Sequence, residues 1–272
     1  MKHRKKIAAR NNKSNERTKF VPIIAIYNMK GGVGKTASAV NLSYEAATSG
    51  LRTLLCDLDA QGSSSYYFET KSTKNYDAEK FLKGGKHIVK QIKSTNYNNL
   101  DLLPSDFSFR NLDLTLQDKK KPISQISKTL RVLKNDYDIL FLDCPPNITL
   151  LSESIFQSAD LVLVPTIPTT LSIRAFVQVI RFFKTSGYPI GKITPFFSMV
   201  EKRKTLHKSI IETFGQKKKL FLKTHIPYAS DIEKMGLVRM PVGATKPTSP
   251  SAQAYSNLFT ELKFHLPKRK HT

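Results

Sequence analysis

A glycine-rich loop between two structured segments constrains the fold of this chain more than any other feature. Residues 29–36 read MKGGVGKT; they follow an apolar run at residues 22–27 and precede a helical pattern over residues 37–49. The run before the loop has the length and β-branched content of a buried strand. Glycine lets the backbone bend closely enough to aim several N–H groups at a polyphosphate, and the helix N-terminus adds partial positive charge. The order strand, loop, helix therefore predicts a phosphate-binding loop.

Two side chains of this loop carry groups that a bound nucleotide requires. Lys35 would reach the β- and γ-phosphates, and the hydroxyl of Thr36 would ligate Mg²⁺. The alternative is a simple turn with two surface lysines, which the strand before the loop and the helix after it disfavour. We expect the phosphates to be held by consecutive residues, namely Lys30, Gly31, Gly32, Val33, Gly34, Lys35, Thr36 and Ala37.

Two further apolar segments end in carboxylates. The run at residues 53–58 is interrupted by Asp57 and followed by Asp59, and the run at residues 139–142 leads to Asp143. In α/β sheets, ligand chemistry lies at the carboxyl ends of strands, and residues at i and i+2 share one side of a strand. The run before Asp143 is typical of a central strand buried on both faces, and two prolines stop it. Each segment alone could be structural, but their order after the loop favours a site.

These three segments together resemble the ParA/MinD family of deviant Walker A ATPases. The loop has the family's extra lysine, Lys30, although Met29 stands where the general motif has glycine. The segment DLDAQG at residues 57–62 is similar to the family's D-x-D-P-Q-G, with Ala60 in place of proline, and DCPP at residues 143–146 matches D-x-P-P. The resemblance covers about residues 21–266 and is closest to small Soj-like ParA proteins that lack an N-terminal helix-turn-helix domain.

The resemblance implies a fold and a ligand. It implies an α/β fold, a doubly wound and mostly parallel sheet flanked by helices, in a P-loop NTPase-like single domain. It also implies that ATP and Mg²⁺ bind at the carboxyl ends of the strands, with Pro227 near the adenine base at the end of the last strand.

The same resemblance assigns roles to individual residues. Lys30 would cross the interface of an ATP-bound homodimer and touch the partner's phosphates, acting in catalysis with Lys35. Asp59 would orient the attacking water, which phosphoryl transfer needs more than a strong base. Asp57 and Asp143 would lie beside Mg²⁺, with Asp143 hydrogen-bonded to a metal-bound water.

The charge of the chain indicates a polyanionic partner. There are 44 Lys and Arg residues against 21 Asp and Glu residues, a formal net charge of +23, which favours nucleic acid or an acidic membrane surface. Where residues 202–208 read KRKTLHK, the family carries a basic residue for sequence-independent DNA binding, best matched by Arg203. A solvated helix face is the alternative, but no acid lies between Glu201 and Glu212. The predicted DNA contacts are Lys202, Arg203, Lys204 and Lys208. Further lysines at positions 217–219 and 223 would extend the patch. His207 is predicted to be a helix-face residue rather than a metal ligand.

Composition also divides the chain. Residues 1–19 are basic with few apolar residues and are predicted to be a disordered arm, residues 20–266 form the ATPase domain, and residues 267–272 are a basic tail. Cys56 and Cys144 are predicted to be reduced core thiols in a cytoplasmic protein. No apolar run approaches the roughly 20 residues of a membrane span.

Further apolar patterns predict the remaining elements. Helices are expected at residues 77–82, 88–92, 124–135, 172–185, 206–214 and 251–266. Strands are expected at residues 100–103, 161–165, 193–199 and 221–227.

The function that the resemblance implies is that of a ParA-type ATPase. ATP-bound dimers would bind nucleoid DNA without sequence specificity, and a cargo-bound, ParB-like partner would stimulate slow hydrolysis, so that a plasmid, chromosome region or protein assembly is partitioned or positioned. One alternative is a MinD-like membrane-cycling ATPase, which needs an amphipathic C-terminal helix lying on lipid. Because the last helix is predicted to pack on the core, no membrane partner is expected. A second alternative, a scaffold that holds ATP without turnover, is disfavoured by Lys35 and Asp59.

Overall fold

One mixed sheet organises the part of the chain that the structure, a computed structural model, describes, namely residues 20–217 and 220–266. The order of its strands is β3-β4-β2-β5-β1-β6-β7, and neighbouring strands are parallel except for the antiparallel pair β3–β4. The strands are β1 Ile23–Ile26, β2 Thr53–Asp57, β3 Lys93–Ser94, β4 Leu100–Leu103, β5 Ile139–Asp143, β6 Leu161–Thr166 and β7 Ile193–Phe197. The predicted doubly wound, mostly parallel fold is confirmed.

The α-helices lie on both faces of this sheet. In chain order they are α1 Lys35–Thr48, α2 Ser63–Tyr67, α3 Ala78–Lys83, α4 Lys86–Val89, α5 Leu112–Gln117, α6 Gln125–Leu130, α7 Leu150–Ser158, α8 Thr170–Thr185, α9 Thr205–Ile210, α10 Ser230–Glu233, α11 Met235–Val238, α12 Val242–Thr245 and α13 Pro250–His265. Single turns of 3₁₀-helix span Phe107–Asn111, Pro122–Ser124, Arg131–Asn135 and Ile190–Lys192, and a π-helical segment spans Ile211–Lys217.

Two hydrophobic cores follow from the alternation of side chains along the strands. On β1, Ile23 and Ala25 belong to one core, whereas Ile24 and Ile26 belong to the other. The first core includes apolar residues of α7 and α8, and the second includes those of α1 and α13. Because both faces are covered, the central strands are buried along their whole length, as their near-continuous apolar sequences predict.

Strand register brings the acidic strand ends together. On β2, Asp57 is the register partner of Asp143 on β5, and Asp143 also pairs in register with Ile26 on β1. The glycine-rich loop of residues 29–36 follows β1 after Tyr27 and Asn28. The loop and the two acids therefore meet at the same edge of the sheet.

Three predicted elements differ from those observed. The helix expected over residues 124–135 is split into α6 and a 3₁₀ turn, and the one expected over residues 206–214 changes from α9 to a π-helical segment at Ile211. The strand expected at residues 221–227 is absent apart from one isolated bridge between Pro227 and Val200. Its backbone N–H groups at Lys223 and Thr224 donate to the carboxylate of Glu261, at 2.7 and 2.8 Å, instead of to a neighbouring strand.

Other expectations concern the thiols, membrane spans and chain ends. Cys56 and Cys144 are free and buried, as predicted. Among the residues that the structure describes, no helix is long and apolar enough to cross a membrane. The basic arm at residues 1–19 and the tail at residues 267–272 lie outside the described residues, as do Lys218, Lys219 and the side chain of Lys217.

Candidate functional site

Left-handed glycines shape the loop between β1 and α1. Gly32 and Gly34 have φ angles of 68° and 88°, which residues with a Cβ rarely adopt. A Cβ atom on Gly34 would make only an ordinary contact of 3.7 Å with the Cε atom of Met199, so the backbone conformation rather than crowding favours glycine there. The loop leads directly into α1, a helix of 14 residues that begins at Lys35. Successive backbone N–H groups and the end of the helix dipole together suit an anionic ligand.

Two buried polar side chains that the sequence analysis missed hold this loop in place. The side-chain amide of Asn28 donates to the carbonyl of Pro165 at 2.8 Å, and its Oδ1 accepts from the backbone N–H of Lys30 at 2.9 Å. The hydroxyl of Ser198 donates to the carbonyl of Val33 at 2.8 Å. The loop is thereby fixed to the ends of β6 and β7. A polar residue at the end of an apolar run, as at positions 28 and 198, is the signal that could have revealed them.

Lys35 faces the acidic strand ends from the first turn of α1. Its ammonium nitrogen lies 3.1 Å from the backbone carbonyl oxygen of Lys30 and donates to it. Burial lowers the pKa of Lys35, and the nearby carboxylates of Asp143 and Asp59 oppose that effect. A buried ammonium group gains most from an anion placed against it, which fits a phosphate contact.

Asp143 carries an unpaired oxygen at the centre of the site. Its Oδ2 accepts from the hydroxyl of Ser64 at 2.8 Å, and the hydroxyl of Thr36 lies close enough to favour the charged form of the carboxylate and so to lower its pKa. Its Oδ1 is buried and has no hydrogen-bond partner among the described residues. Burial raises the pKa of Asp143. A buried carboxylate oxygen without a donor is suited to a cation or to its bound water.

Asp57 lies beside Asp143 and is also fully buried. Its Oδ2 accepts from both the backbone N–H and the hydroxyl of Ser65, at 2.8 and 2.7 Å. Burial, and after it the neighbouring Asp143, raises the pKa of the Asp57 carboxyl. Two buried carboxyl groups in register disfavour each other's ionisation, and a divalent cation would remove that penalty. The sequence analysis did not single out Ser64 or Ser65, although three serines directly after Gly62 are a visible signal.

The oxygen groups at this edge fit magnesium bound together with a nucleotide. Thr36 supplies a hydroxyl, and Asp57 and Asp143 supply carboxylates. Among the described residues, no three His, Cys, Asp or Glu side chains form a cluster that could hold a metal ion by themselves. Mg²⁺ keeps several waters and is commonly held by one or two carboxylates plus substrate phosphates, so this donor set suits it.

Asp59 occupies the open side of the same site. Its side chain is half-buried, and its Oδ1 accepts from the backbone N–H of Gln61 at 2.9 Å. Its backbone N–H donates to Oδ1 of Asp57 at 3.3 Å, and its charge acts on the pKa values of both Lys35 and Asp143, so it lies near these groups. The structure therefore brings together the loop, Asp57, Asp59 and Asp143.

The basic segment lies beyond the end of β7. Lys202, Arg203, Lys204 and Lys208 are all exposed there. Lys204 forms an ion pair with Glu201, which leaves it less free for a phosphate than the other three. Pro227 lies beside this strand end, where its isolated bridge to Val200 forms.

Comparisons with known proteins agree with this geometry. A family model described as an AAA domain matches residues 21–188. The chain belongs to the ParA/MinD family of ATPases. The chromosome-partitioning ATPase Soj of Treponema pallidum is 27% identical over 250 residues, which cover 88% of this chain and 96% of that protein. The sporulation initiation inhibitor protein Soj of Bacillus subtilis is 33% identical over 147 residues, 53% of this chain and 57% of that protein.

Solved structures show the same fold at low sequence identity. A putative plasmid partition protein from Borrelia burgdorferi, bound to AMPPNP, is 22% identical with a TM-score of 0.75, covering 91% of this chain and all of that one. A variant of McdA from Cyanothece, solved in complex with ATP, is 16% identical with a TM-score of 0.78. The match covers 92% of this ParA/MinD-family chain and 99% of the McdA chain. The predicted family and fold are confirmed.

Proposed function

We propose that this protein is a ParA-type partitioning or positioning ATPase that binds ATP with Mg²⁺ and hydrolyses it. The observation that carries the proposal is the convergence of Lys35, Asp59 and Asp143 beside a glycine-rich loop at one sheet edge. Related structures that hold an ATP analogue, or ADP with magnesium, support the same ligand.

Each residue then has a chemical task. Backbone N–H groups of residues 30–37 and the ammonium group of Lys35 would hold the phosphates, while Thr36, Asp57 and Asp143 would hold Mg²⁺. The metal ion, when bound, supplies positive charge that offsets the charge developing on the phosphates. Asp59 would orient the attacking water from the open side of the site.

Lys30 would couple nucleotide binding to dimerisation. Both backbone polar groups of Lys30 are used within the loop, by Asn28 and Lys35. No described residue accepts a hydrogen bond from its side-chain ammonium group, which is half-buried. A side chain so placed can reach the phosphates of a second copy, as the family resemblance implies.

ATP-bound dimers would bind DNA through the exposed basic segment. Lys202, Arg203 and Lys208 are exposed on one short stretch, and two copies on a rigid dimer would bind a polyanion with high effective concentration. A cargo-bound, ParB-like partner would stimulate hydrolysis and release the monomers. Relatives named for chromosome partitioning support this assignment.

A membrane-bound cycle is less well supported than DNA binding. The apolar residues Tyr255, Leu258, Phe259 and Leu262 of α13 are buried in the core that this helix shares with α1. That face is therefore already used and is not available for lying on lipid.

Phosphate release from ATP with Mg²⁺ tests the proposal directly. The wild-type protein should turn over ATP slowly, and Lys35→Ala should not, because it loses the group that holds the phosphates. Lys128→Ala, which removes an exposed lysine of α6, is the matched control and should keep wild-type turnover. A wild-type protein that binds ATP but releases no phosphate, alone or with DNA, would instead identify a nucleotide-holding scaffold.

A further inference from the structure

A cleft lies beside the basic segment, away from the glycine-rich loop. It has a volume of about 310 Å³, at the lower end of the range for small-ligand sites. Its apolar walls are Val200 and Ile211, and its polar groups come from Lys202, His207, Lys208 and His225.

The geometry at His207 fixes which ring nitrogen carries the proton. His207 is buried, and its Nδ1 accepts a hydrogen bond from the backbone N–H of Glu201 at 3.1 Å. An Nδ1 that accepts cannot also carry a proton, so the neutral ring must carry it on Nε2. Burial, followed by the positive charge of Lys204, lowers the pKa of His207 and keeps the ring neutral. No described residue accepts from Nε2, which leaves this donor for a ligand.

The charges around the cleft favour an anion. No described carboxylate forms an ion pair with Lys202 or Lys208. The acid that lines the cleft, Glu201, is paired with Lys204. The cleft therefore offers two unpaired ammonium groups and one fixed N–H donor.

We propose that this cleft is a phosphate-binding site in which Lys202 and Lys208 supply charge and His207 supplies a neutral Nε2–H donor. The ligand is a phosphate oxyanion, carried either on the DNA backbone or on a free phosphate compound. The first source deepens the DNA binding proposed above and rests on it; the second does not.

Two substitutions at position 207 separate the donor from the structural bond. His207→Asn places an amide oxygen near the position of Nδ1, so it keeps the acceptor for Glu201 and removes the Nε2 donor. His207→Gln places an amide nitrogen near Nε2, so it keeps the donor and removes the acceptor. A phosphate role predicts that binding falls in the Asn variant and is largely kept in the Gln variant, whereas a purely structural role predicts the reverse.

Inorganic phosphate is the first probe, and its binding is monitored through the ¹⁵N chemical shifts of the His207 imidazole. Wild-type protein should show a saturable shift at Nε2, and Lys208→Gln should weaken it. Lys128→Gln, in α6 and outside the cleft, should behave as wild type. The absence of any saturable shift with phosphate and with DNA would overturn the site.

Duplex DNA with ATP is the second probe. His207→Asn should weaken DNA binding about tenfold for each hydrogen bond lost, and a dimer loses two. The slope of log affinity against log salt should stay unchanged, because a neutral donor releases no counterion. Lys208→Gln should reduce the slope by about 0.9 for each of the two contacts that the dimer loses. Wild-type DNA affinity in His207→Asn, together with a phosphate shift in the wild type, would assign the cleft to a free phosphate compound.

ATP turnover, measured in the same proteins, separates this inference from the proposed function. A phosphate shift at His207 in a protein without turnover or DNA binding would leave the cleft standing and refute the function. Normal turnover and DNA binding, without any phosphate shift at His207 and without an effect of His207→Asn, would support the proposed function and refute the phosphate site in the cleft.

Discussion

The ammonium group of Lys35 donates to the backbone carbonyl of Lys30 across 3.1 Å, so the two lysines of the loop are joined through the main chain. The contact uses the side chain of Lys35 but leaves the side chain of Lys30 free to point elsewhere. The two lysines should therefore fail in different ways when each is replaced.

Lys30→Ala should bind ATP as a monomer and fail to dimerise, because the loop backbone still holds the phosphates. Lys35→Ala should lose most of its ATP affinity, because the buried ammonium group is removed. Sedimentation with and without ATP, combined with nucleotide titration, measures both effects. Normal ATP-dependent dimers of Lys30→Ala would contradict the interface role.

Asp59→Ala should retain ATP, accumulate dimers and lose turnover. Positioned groups of this kind contribute about 10²- to 10⁴-fold in rate, and the groups proposed to hold the phosphates are the loop backbone and Lys35 rather than Asp59. Phosphate release and sedimentation of the same sample measure the two effects. Glu79→Ala, an exposed acid on α3, is the control; turnover that survives in Asp59→Ala would remove that residue from the mechanism.

Arg203→Glu should abolish ATP-dependent DNA binding in a protein that lacks residues 1–19. The deletion is needed because a basic arm can bind DNA phosphates without ATP. Each lost contact should reduce the slope of log affinity against log salt by about 0.9. ATP-dependent DNA binding that persists in the double variant would place the surface elsewhere, with Arg174, Arg181 and Lys184 of α8 as the next candidates.

Asn28→Ala should destabilise the fold and weaken ATP binding together. It leaves the carbonyl of Pro165 and the N–H of Lys30 without their buried partner, at a cost of about 1–3 kcal/mol. Urea unfolding and nucleotide titration measure the two effects. Gln253→Ala removes an exposed hydrogen bond to Asn257 and should change the free energy of unfolding by less than about 0.5 kcal/mol. If the two variants have the same free energy of unfolding and the same ATP affinity, the loop does not depend on the hydrogen bonds of Asn28.

His207 should make stability fall in mild acid. Its pKa is lowered in the folded state, whereas in the unfolded chain the histidine has its ordinary pKa of about 6.5. The unfolded chain therefore binds the proton first as pH falls below about 6.5. The free energy of unfolding should therefore be fully present above that pH and decline below it, towards the folded-state pKa. His207→Asn should show a weaker decline between about pH 7 and pH 5. If the free energy of unfolding, measured with urea, falls equally with pH in the wild type and in His207→Asn, the ring of His207 is not held neutral by burial.

Strands with continuous apolar sequence could be predicted, and so could the acids at their ends. The prediction of residues 100–103 matches β4, and the register that pairs Asp57 with Asp143 follows from adjacent parallel strands. By contrast, β3 has two polar residues at the sheet edge and no apolar signal.

Long-range contacts could not be predicted from the sequence. The expected strand at residues 221–227 donates to β7 only through the N–H groups of Leu222 and Ile226. Between them, the N–H groups of Lys223 and Thr224 donate to Glu261, which lies 37 residues beyond Thr224. Ser64, Ser65 and Ser198 likewise act through partners that only the fold brings near. The roles of Asp59, Pro227 and Arg203 stay predictions, since they require a ligand or a second chain to be tested.

The bond from Ser198 to the Val33 carbonyl has a mechanical consequence. Ser198 lies three residues before Glu201, a span of at most about 10 Å of extended chain, and Val200 between them already forms the cleft wall. The glycine-rich loop and the basic cleft are thus joined by one hydrogen bond and three residues of chain. The position of the loop and the position of the Val200 wall therefore constrain each other.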